Sequence, residues 1–344
     1  MLNDSCHKTL SAIIQAQSHS HSLRRLRIED SSVQDCNLTL LKHLLFRCKL
    51  DTLEMKSTDL CFSDDSQCQD GGDGIQLPLC PLEDAFSQLN VIKLSHNKLR
   101  SLASLERALL QPDCTIRHLD LESCQLSTEM LDSLFITAKD SRCLHELSVG
   151  YNMYCPSLSD QHSSSGSQAR LSGLAELVRN SQVTKLNLTG CFFTLQGWVH
   201  GKEFVEALRL NNSLHQLLLG DNRLTNECLH LLVDAFISPS TNTDFKAPQL
   251  CLDISYNKRI TLEGLQAFRQ ALERASTALD YKVTPPHHLT VTMDEGMRQT
   301  EERTELAKIT RLTVTNTNGN SRSYSCRGRN MNYGDLMMEH LSQM

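Results

Sequence analysis

Aromatic residues are scarce in this chain, 5% of 344 residues with a single Trp. A plain β-sandwich or barrel draws on aromatic and β-branched residues, so that class is disfavoured. Glycine (15) and proline (8) are too few for a collagen-like or low-complexity chain. No apolar run approaches the ~18 residues that a membrane-crossing helix needs. The stretch from Met1 to Gln17 lacks the charged-then-apolar order of a signal peptide and carries Asp4 early. An excess of positive charge is also missing. The net charge is −6, which speaks against a wholesale nucleic-acid binder.

The 14 cysteines contain no C-x-x-C pair. Without a signal peptide they read as free thiols in a reducing compartment. The tightest run, Cys61, Cys68 and Cys80, fits no zinc spacing, so no metal site is expected. Phosphate-binding, dinucleotide-binding, serine-hydrolase and zinc-protease motifs are absent too. Asp120 and Glu122 share one side of a strand but have no enclosing pocket in prospect. No catalytic residue and no cofactor is expected.

Leucine is what the chain has in quantity: 57 residues, about one in six. The leucines recur in the pattern L-x-x-L-x-L-x-x-N/C-x-L. Successive fits begin at 23, 50, 89, 116, 144, 183, 214 and 249, and the commonest step is close to 28. The fourth fit is Ile116, Leu119, Leu121, Cys124 and Leu126; the seventh is Leu214, Leu217, Leu219, Asn222 and Leu224. Each L-x-L piece predicts a short strand with its leucines inward. The Asn or Cys slot then turns the chain and satisfies backbone groups that lose their ladder partners. Cys124 and Cys191 occupy that slot, which predicts a structural role for both. Helical spacing covers 130–139, 171–179, 204–210, 228–237 and 262–274. Cys251-Leu252-Asp253 matches a motif of some ubiquitin ligases, but it lies inside a repeat strand and reads as structural.

A strand-plus-helix period of 28 resembles the ribonuclease-inhibitor type of leucine-rich repeat, over about Leu23 to Ala275. The resemblance implies an α/β solenoid, a horseshoe with parallel strands on the concave face and helices on the convex face. The expected division is a solenoid of about eight repeats over 1–280 and an irregular cap with a basic tail over 281–344. Cys6 to Gln17 reads as a repeat helix without its strand. Alternation at Leu289, Val291 and Met293, and at Leu312 and Val314, predicts terminal strands. Residues 298–329 hold seven basic and three acidic residues, read as a solvated tail.

Insertions are placed at 61–87 and 155–170 and read as mobile surface loops. Residues 51–84 carry nine acidic residues against Lys56 alone. That loop is a candidate dock for a basic, histone-like partner.

Side chains alternate along a strand, so the residues between the leucines face outward. They nominate Arg27, Glu29, Glu54, Lys93, His96, Asp120, Glu122, Tyr151, Lys185, Asp221, Asp253 and Tyr256 as a partner-binding face. Eight strands at ~4.8 Å make a face about 35–40 Å long, suited to a protein rather than a small molecule. Tyr151 and Tyr256 are the anchor candidates. The reading is a non-enzymatic scaffold inside the cell, with no small-molecule substrate, no membrane and no direct nucleic-acid contact. The alternative is a GTPase-activating or ubiquitin-ligase accessory protein of the same repeat class.

The repeat Leu252-Asp253-Ile254-Ser255-Tyr256-Asn257-Lys258-Arg259-Ile260-Thr261 carries an extra residue after its Asn. With Leu186-Asn187-Leu188-Thr189-Gly190-Cys191-Phe192-Phe193, the irregular stretch after it and the strand near Leu312, it resembles the C-terminal repeats of tonsoku-like proteins. That resemblance implies a nuclear scaffold in repair of stalled replication forks. The family's helical and ankyrin repeats and ubiquitin-like segment have no counterpart in these residues.

Overall fold

A strand of three residues buries only its central side chain. It becomes stable when many such strands stack and helices close the dry side. In the computed structural model the described residues are 12, 23–29, 41, 44–45, 48–58, 82–152, 172–191, 201–239, 250–277, 281–283, 288–293, 311–316 and 321–323. The chain forms two units, Met1–Phe192 and Phe193–Met344.

In the first unit six strands follow one another in sequence order. They are β1 Arg25–Glu29, β2 Thr52–Lys56, β3 Val91–Lys93, β4 His118–Asp120, β5 Glu146–Ser148 and β6 Lys185–Asn187. All five pairings are parallel, and the register aligns Leu26, Leu53, Ile92, Leu119, Leu147 and Leu186 in one row. Every member of that row is buried. At roughly 1.5–3 kcal/mol for each fully buried large aliphatic side chain, this row alone fixes which face is dry.

Among the described residues the helices between these strands are α1 Leu82–Ser87, α2 Ala103–Leu109, α3 Thr128–Asp140 and α4 Ser172–Asn180. In α3 the residues Leu131, Leu134, Phe135 and Ala138 are buried, the i, i+3, i+4, i+7 spacing of one helix face. Its start is fixed by Ser127, whose Oγ accepts from the Met130 N–H at 3.3 Å. Gly173 lets α4 lie against α3. A Cβ there would stand 2.7 Å from the Asp132 carbonyl oxygen and 2.9 Å from Ile136 Cγ1. Its N–H donates to Asp132 Oδ1 at 2.7 Å.

The structure corrects one feature of the first insertion. Residues 82–87, expected to lie in a surface loop, form α1 and bury Leu82, Ala85 and Phe86. Phe86 is an apolar anchor inside a stretch whose acidic residues made it read as solvated. The rest of that insertion, the second insertion and the helix expected over Cys6 to Gln17 lie outside the described residues, apart from Ala12.

The turn slots do what their chemistry requires. Asn97 is buried; its Nδ2 donates to the carbonyls of Met55 and Leu94, both at 2.8 Å. Its Oδ1 accepts from the Thr58 N–H at 2.8 Å and the Thr58 hydroxyl at 2.9 Å. Asn152 repeats the arrangement two periods on. Its Oδ1 accepts from Cys124 N–H at 2.7 Å, and its Nδ2 donates to the carbonyls of Leu121 and Val149. Each Asn therefore ties its own turn to the turn of the preceding repeat. In the cysteine slots the thiol supplies the donor. Cys124 donates to the Leu94 carbonyl at 2.9 Å and Cys191 to the Val149 carbonyl at 3.3 Å. Burial pushes the Cys124 thiol up to about 12, so it remains a protonated donor.

In the second unit four parallel neighbours follow the order β7 Gln216–Leu218, β9 Cys251–Asp253, β11 His288–Met293 and β12 Arg311–Asn316. The strand β13, Ser321–Ser323, lies antiparallel on β12. A separate antiparallel pair joins β8 Ile237–Pro239 to β10 Tyr281–Val283. The helices are α5 Gly201–Leu210, α6 Asn226–Val233 with a 3-10 turn over Asp234–Phe236, and α7 Leu262–Thr277. Phe236 meets Phe268 edge to face, with centroids 6.2 Å apart. Asn257 does here what Asn97 does in the first unit, bonding the Leu219 and Ile254 carbonyls and the Leu224 N–H. The alternating segments at 289–293 and 312–314 are strands, and β11 joins the ladder directly at β9. The parallel sheet thus runs on past residue 280, where the regular leucine spacing stops.

Candidate protein-binding face

In the first unit the residues on either side of each buried central aliphatic are partly or fully exposed, apart from the buried Thr52. The register places Arg27, Glu54, Lys93 and Asp120 in one row, continued by Ser148 and Asn187. Signs alternate from strand to strand along its charged part. Glu54 sits between two cations, 3.8 Å from Arg27 Nε and 3.4 Å from Lys93 Nζ. Arg27 also donates to Glu29 at 2.6 Å. In the neighbouring row His118, Glu146 and Lys185 line up. Glu146 Oε2 stands 3.2 Å from His118 Nδ1 and 3.7 Å from Lys185 Nζ. Exposed pairs of this kind are screened by water and contribute little, so the network orders side chains more than it stabilises the fold.

His118 is held below the ordinary imidazole range, chiefly by burial. Glu146 and Asp120 pull its affinity for protons up, while Lys93 and Lys185 push it down. Glu122 shows the opposite trend for an acid. Burial and then Asp120 raise it above the ordinary carboxylate range, against His96 and Lys56.

Three of the expected strand residues turn out to serve their own backbone. Asp120 Oδ1 accepts from the Glu122 N–H at 3.0 Å. Asn187 does the same for Thr189 at 3.0 Å, and Asp253 for Ser255 at 2.9 Å. The third strand position therefore closes the end of the strand, and for Asp120 and Asp253 one carboxylate oxygen remains outside that bond.

The strands also end sooner than the alternation predicts. His96, Glu122, Tyr151, Asp221 and Tyr256 lie beyond them. His96, Tyr151, Asp221 and Tyr256 adopt left-handed backbone, with φ of 59°, 56°, 48° and 60°. Ser57, Ser123 and Gly190 occupy the corresponding places with φ of 51°, 56° and 64°. In each case the next residue is the turn slot: Thr58, Asn97, Cys124, Asn152, Cys191, Asn222 or Asn257. The left-handed residue keeps the ladder intact. His96 N–H donates to the Glu122 carbonyl, Tyr151 N–H to that of Thr189, and Asp221 N–H to that of Ser255. Sequence periodicity marks the Asn slot but not the strained position before it. A polar or glycine residue ahead of each Asn or Cys is the only local hint.

This geometry lifts the side chain out of the pleat. Tyr151 and Tyr256 are 48% and 51% exposed, among the few large hydrophobic side chains so open in the described residues. In the first unit Tyr151 stands one repeat beyond Glu122, whose Cγ lies 3.6 Å from where a Cβ on Gly150 would be. In the second unit Asp221 and Tyr256 belong to neighbouring repeats joined by the Asp221–Ser255 bond.

Of the acidic segment 51–84, the residues 59–81 lie outside the described residues. At its end, Glu83 pairs with Arg107 at 3.1 Å and Asp84 accepts from Gln111 Nε2 at 2.7 Å. Cys251 and Asp253 are strand residues, with Cys251 N–H donating to the His215 carbonyl at 2.7 Å. Among the described residues no group of three His, Cys, Asp or Glu side chains gathers where one ion would be held. None of the described helices is long and apolar enough to cross a membrane.

The architecture defines a leucine-rich-repeat fold, with parallel strands, alternating helices and, in the described repeats, an Asn, Cys or Thr turn. The chain is 25% identical over 223 residues to mouse NACHT, LRR and PYD domains-containing protein 4E, covering 62% of this chain and 21% of that protein. It is 25% identical to pig ribonuclease inhibitor over 289 residues, covering 75% of this chain and 57% of the inhibitor. Mouse ribonuclease inhibitor is also 25% identical, with 63% and 43% covered. The chain thus spans about a fifth of the NACHT protein and about half of the inhibitors. No protein-family model matches it. A solved structure described as the Rad7 and Elc1 complex in yeast aligns over 80% of this chain and 70% of its own. Its 14% identity and TM-score of 0.32 carry no argument about function.

Proposed function

We propose that this chain is a non-enzymatic scaffold that binds a protein partner through the strand-side residues. The observation that carries the reading is the row Arg27, Glu54, Lys93 and Asp120, flanked by Glu122 and by the exposed Tyr151. Charges of alternating sign across neighbouring strands select for a complementary surface, and a half-exposed tyrosine supplies rigid contact area. Two relatives are named for inhibiting ribonucleases, a role directed at a protein. The second unit adds Asp221, Asp253 and Tyr256 as a second set of contacts.

The finer placement, a nuclear scaffold at damaged replication forks, rests on the resemblance of the repeats around Cys191 and Asn257 alone. The basic partner at the acidic loop rests on composition alone. The division near residue 280 is part of the same proposal, with the partner taken up before it.

Affinity purification with mass spectrometry tests the reading. The wild-type chain is compared with Asp120→Ala/Glu122→Ala/Tyr151→Ala and, separately, with Asp253→Ala/Tyr256→Ala. Partners lost from a variant that keeps the wild-type circular dichroism support the proposal. Equal recovery from all three folded proteins removes it.

A further inference from the structure

Cys114 and Cys143 lie 29 residues apart in sequence, on the loops that lead into β4 and β5. Stacking brings the two loops together, and the Cys143 thiol donates to Cys114 Sγ at 3.1 Å. Neither loop is slack. Beside Cys114, the Thr115 N–H donates to the Ser87 carbonyl at 2.7 Å and Ile116 is fully buried. Beside Cys143, Leu144 is fully buried and the His145 N–H donates to the Arg117 carbonyl at 2.9 Å. The repeat packing itself therefore holds the sulfurs next to each other. Both residues are partly exposed, in contrast to the buried Cys48, Cys124, Cys191 and Cys228. To form a bond of about 2.05 Å the sulfurs approach by roughly 1 Å, a shift within side-chain rotation.

We propose that Cys114 and Cys143 form a redox-controlled disulfide that staples two successive repeats, with a small disulfide such as oxidised glutathione as the oxidant. The Cys143 sulfur, its proton lost to solvent, attacks one sulfur of the small disulfide. That S–S bond breaks, one glutathione leaves as thiolate and takes up a proton, and Cys143 carries the other as a mixed disulfide. The Cys114 sulfur then gives up its proton and attacks the Cys143 sulfur, and the second glutathione leaves. Two protein thiols are oxidised and one small disulfide is reduced to two thiols. Burial and the neighbouring Cys143 thiol push Cys114 up to about 12, which makes its thiolate the scarcer attacker and leaves the first attack to Cys143.

This reading does not depend on the proposed partner. The test equilibrates the full chain with mixtures of reduced and oxidised glutathione, alkylates the remaining thiols and maps peptides by mass spectrometry. The expected product is a Cys114–Cys143 cross-linked peptide pair that rises with the oxidised fraction. Thermal unfolding should shift upward by about 5 °C in the oxidised form. Cys114→Ser should trap glutathione on Cys143, whereas Cys143→Ser should leave Cys114 alkylated and free of glutathione. The proposal is overturned if wild-type Cys114 and Cys143 stay alkylated throughout. It is equally overturned if glutathione remains on Cys143 or if the cross-link joins other cysteines.

Discussion

The ring of Tyr151 covers Gly190, one repeat further along, so closely that a Cβ at Gly190 would collide with the ring. Gly190 stands at φ 64°, where its equivalents in other repeats are Ser57, His96, Ser123, Asp221 and Tyr256. A side chain is therefore tolerated by the backbone at this position, and the neighbouring ring is an added reason for glycine here.

Gly190→Ala should lower stability by about 1–2 kcal/mol, from the left-handed backbone and the displaced ring together. Tyr151→Ala removes the collision, so the double variant should lose less than the two single losses added. Urea unfolding of the four proteins, followed by circular dichroism, measures that difference.

Asn97→Ala should cost about 2–4 kcal/mol, because it removes the side-chain partners of the Thr58 N–H and the Met55 carbonyl and leaves the Leu94 carbonyl to the Cys124 thiol. Asn152→Cys should cost less than Asn152→Ala. A thiol can donate as Cys124 and Cys191 do, but it accepts from the Cys124 and Leu126 N–H groups poorly. The order of the urea midpoints checks both statements.

Glu122 is raised by burial and by Asp120. A carboxyl with a raised folded-state pKa binds protons more tightly in the native chain than in the unfolded one. Its contribution is fully present below the ordinary carboxylate range and is lost as pH rises through the raised value. Glu122→Gln should therefore be at least as stable as wild type at neutral pH while recovering less partner. Paired melting curves at pH 4 and 7 and a pull-down read the two effects. A destabilised variant at pH 7 would contradict this account.

His118 runs the other way, because burial lowers it. The native chain then binds this proton less readily than the unfolded chain. Stability is fully present above the ordinary imidazole value near 6.5 and falls as pH drops through that range. Glu146 and Asp120 moderate the effect, and Lys93 and Lys185 strengthen it. His118→Gln should flatten the dependence of the melting temperature on pH between about 7 and 5.

Much of the fold was legible because leucine spacing and turn chemistry are local demands. The buried row from Leu26 to Leu186 and the slots at Asn97, Cys124, Asn152 and Cys191 follow from periodicity and polarity alone. The helix at Leu82–Ser87 escaped because Glu83 and Asp84 gave it a solvated look, whereas its burial depends on Phe86. The left-handed residues escaped because that position asks for a backbone angle rather than a side-chain type. The candidate face was legible as a set of residues and not as a set of bonds. Which oxygen of Asp120 or which side of Glu54 is occupied depends on register across strands. Cys114 and Cys143 looked like two of fourteen scattered thiols. Only the stacking of residues one period apart reveals them as neighbours.

The ladder has a consequence for how the face can change. Arg27, Glu54, Lys93 and Asp120 are adjacent in space yet come from four separate repeats. A partner bound across the strands as proposed would read one letter from each repeat, like a word printed down a column of text. Arg27, Glu54 and Lys93 can each be replaced without disturbing the line it came from, since the leucines and asparagines that hold the line are elsewhere, whereas Asp120 also closes the end of its own strand. Recognition can therefore be rewritten one contact at a time on an unchanged frame.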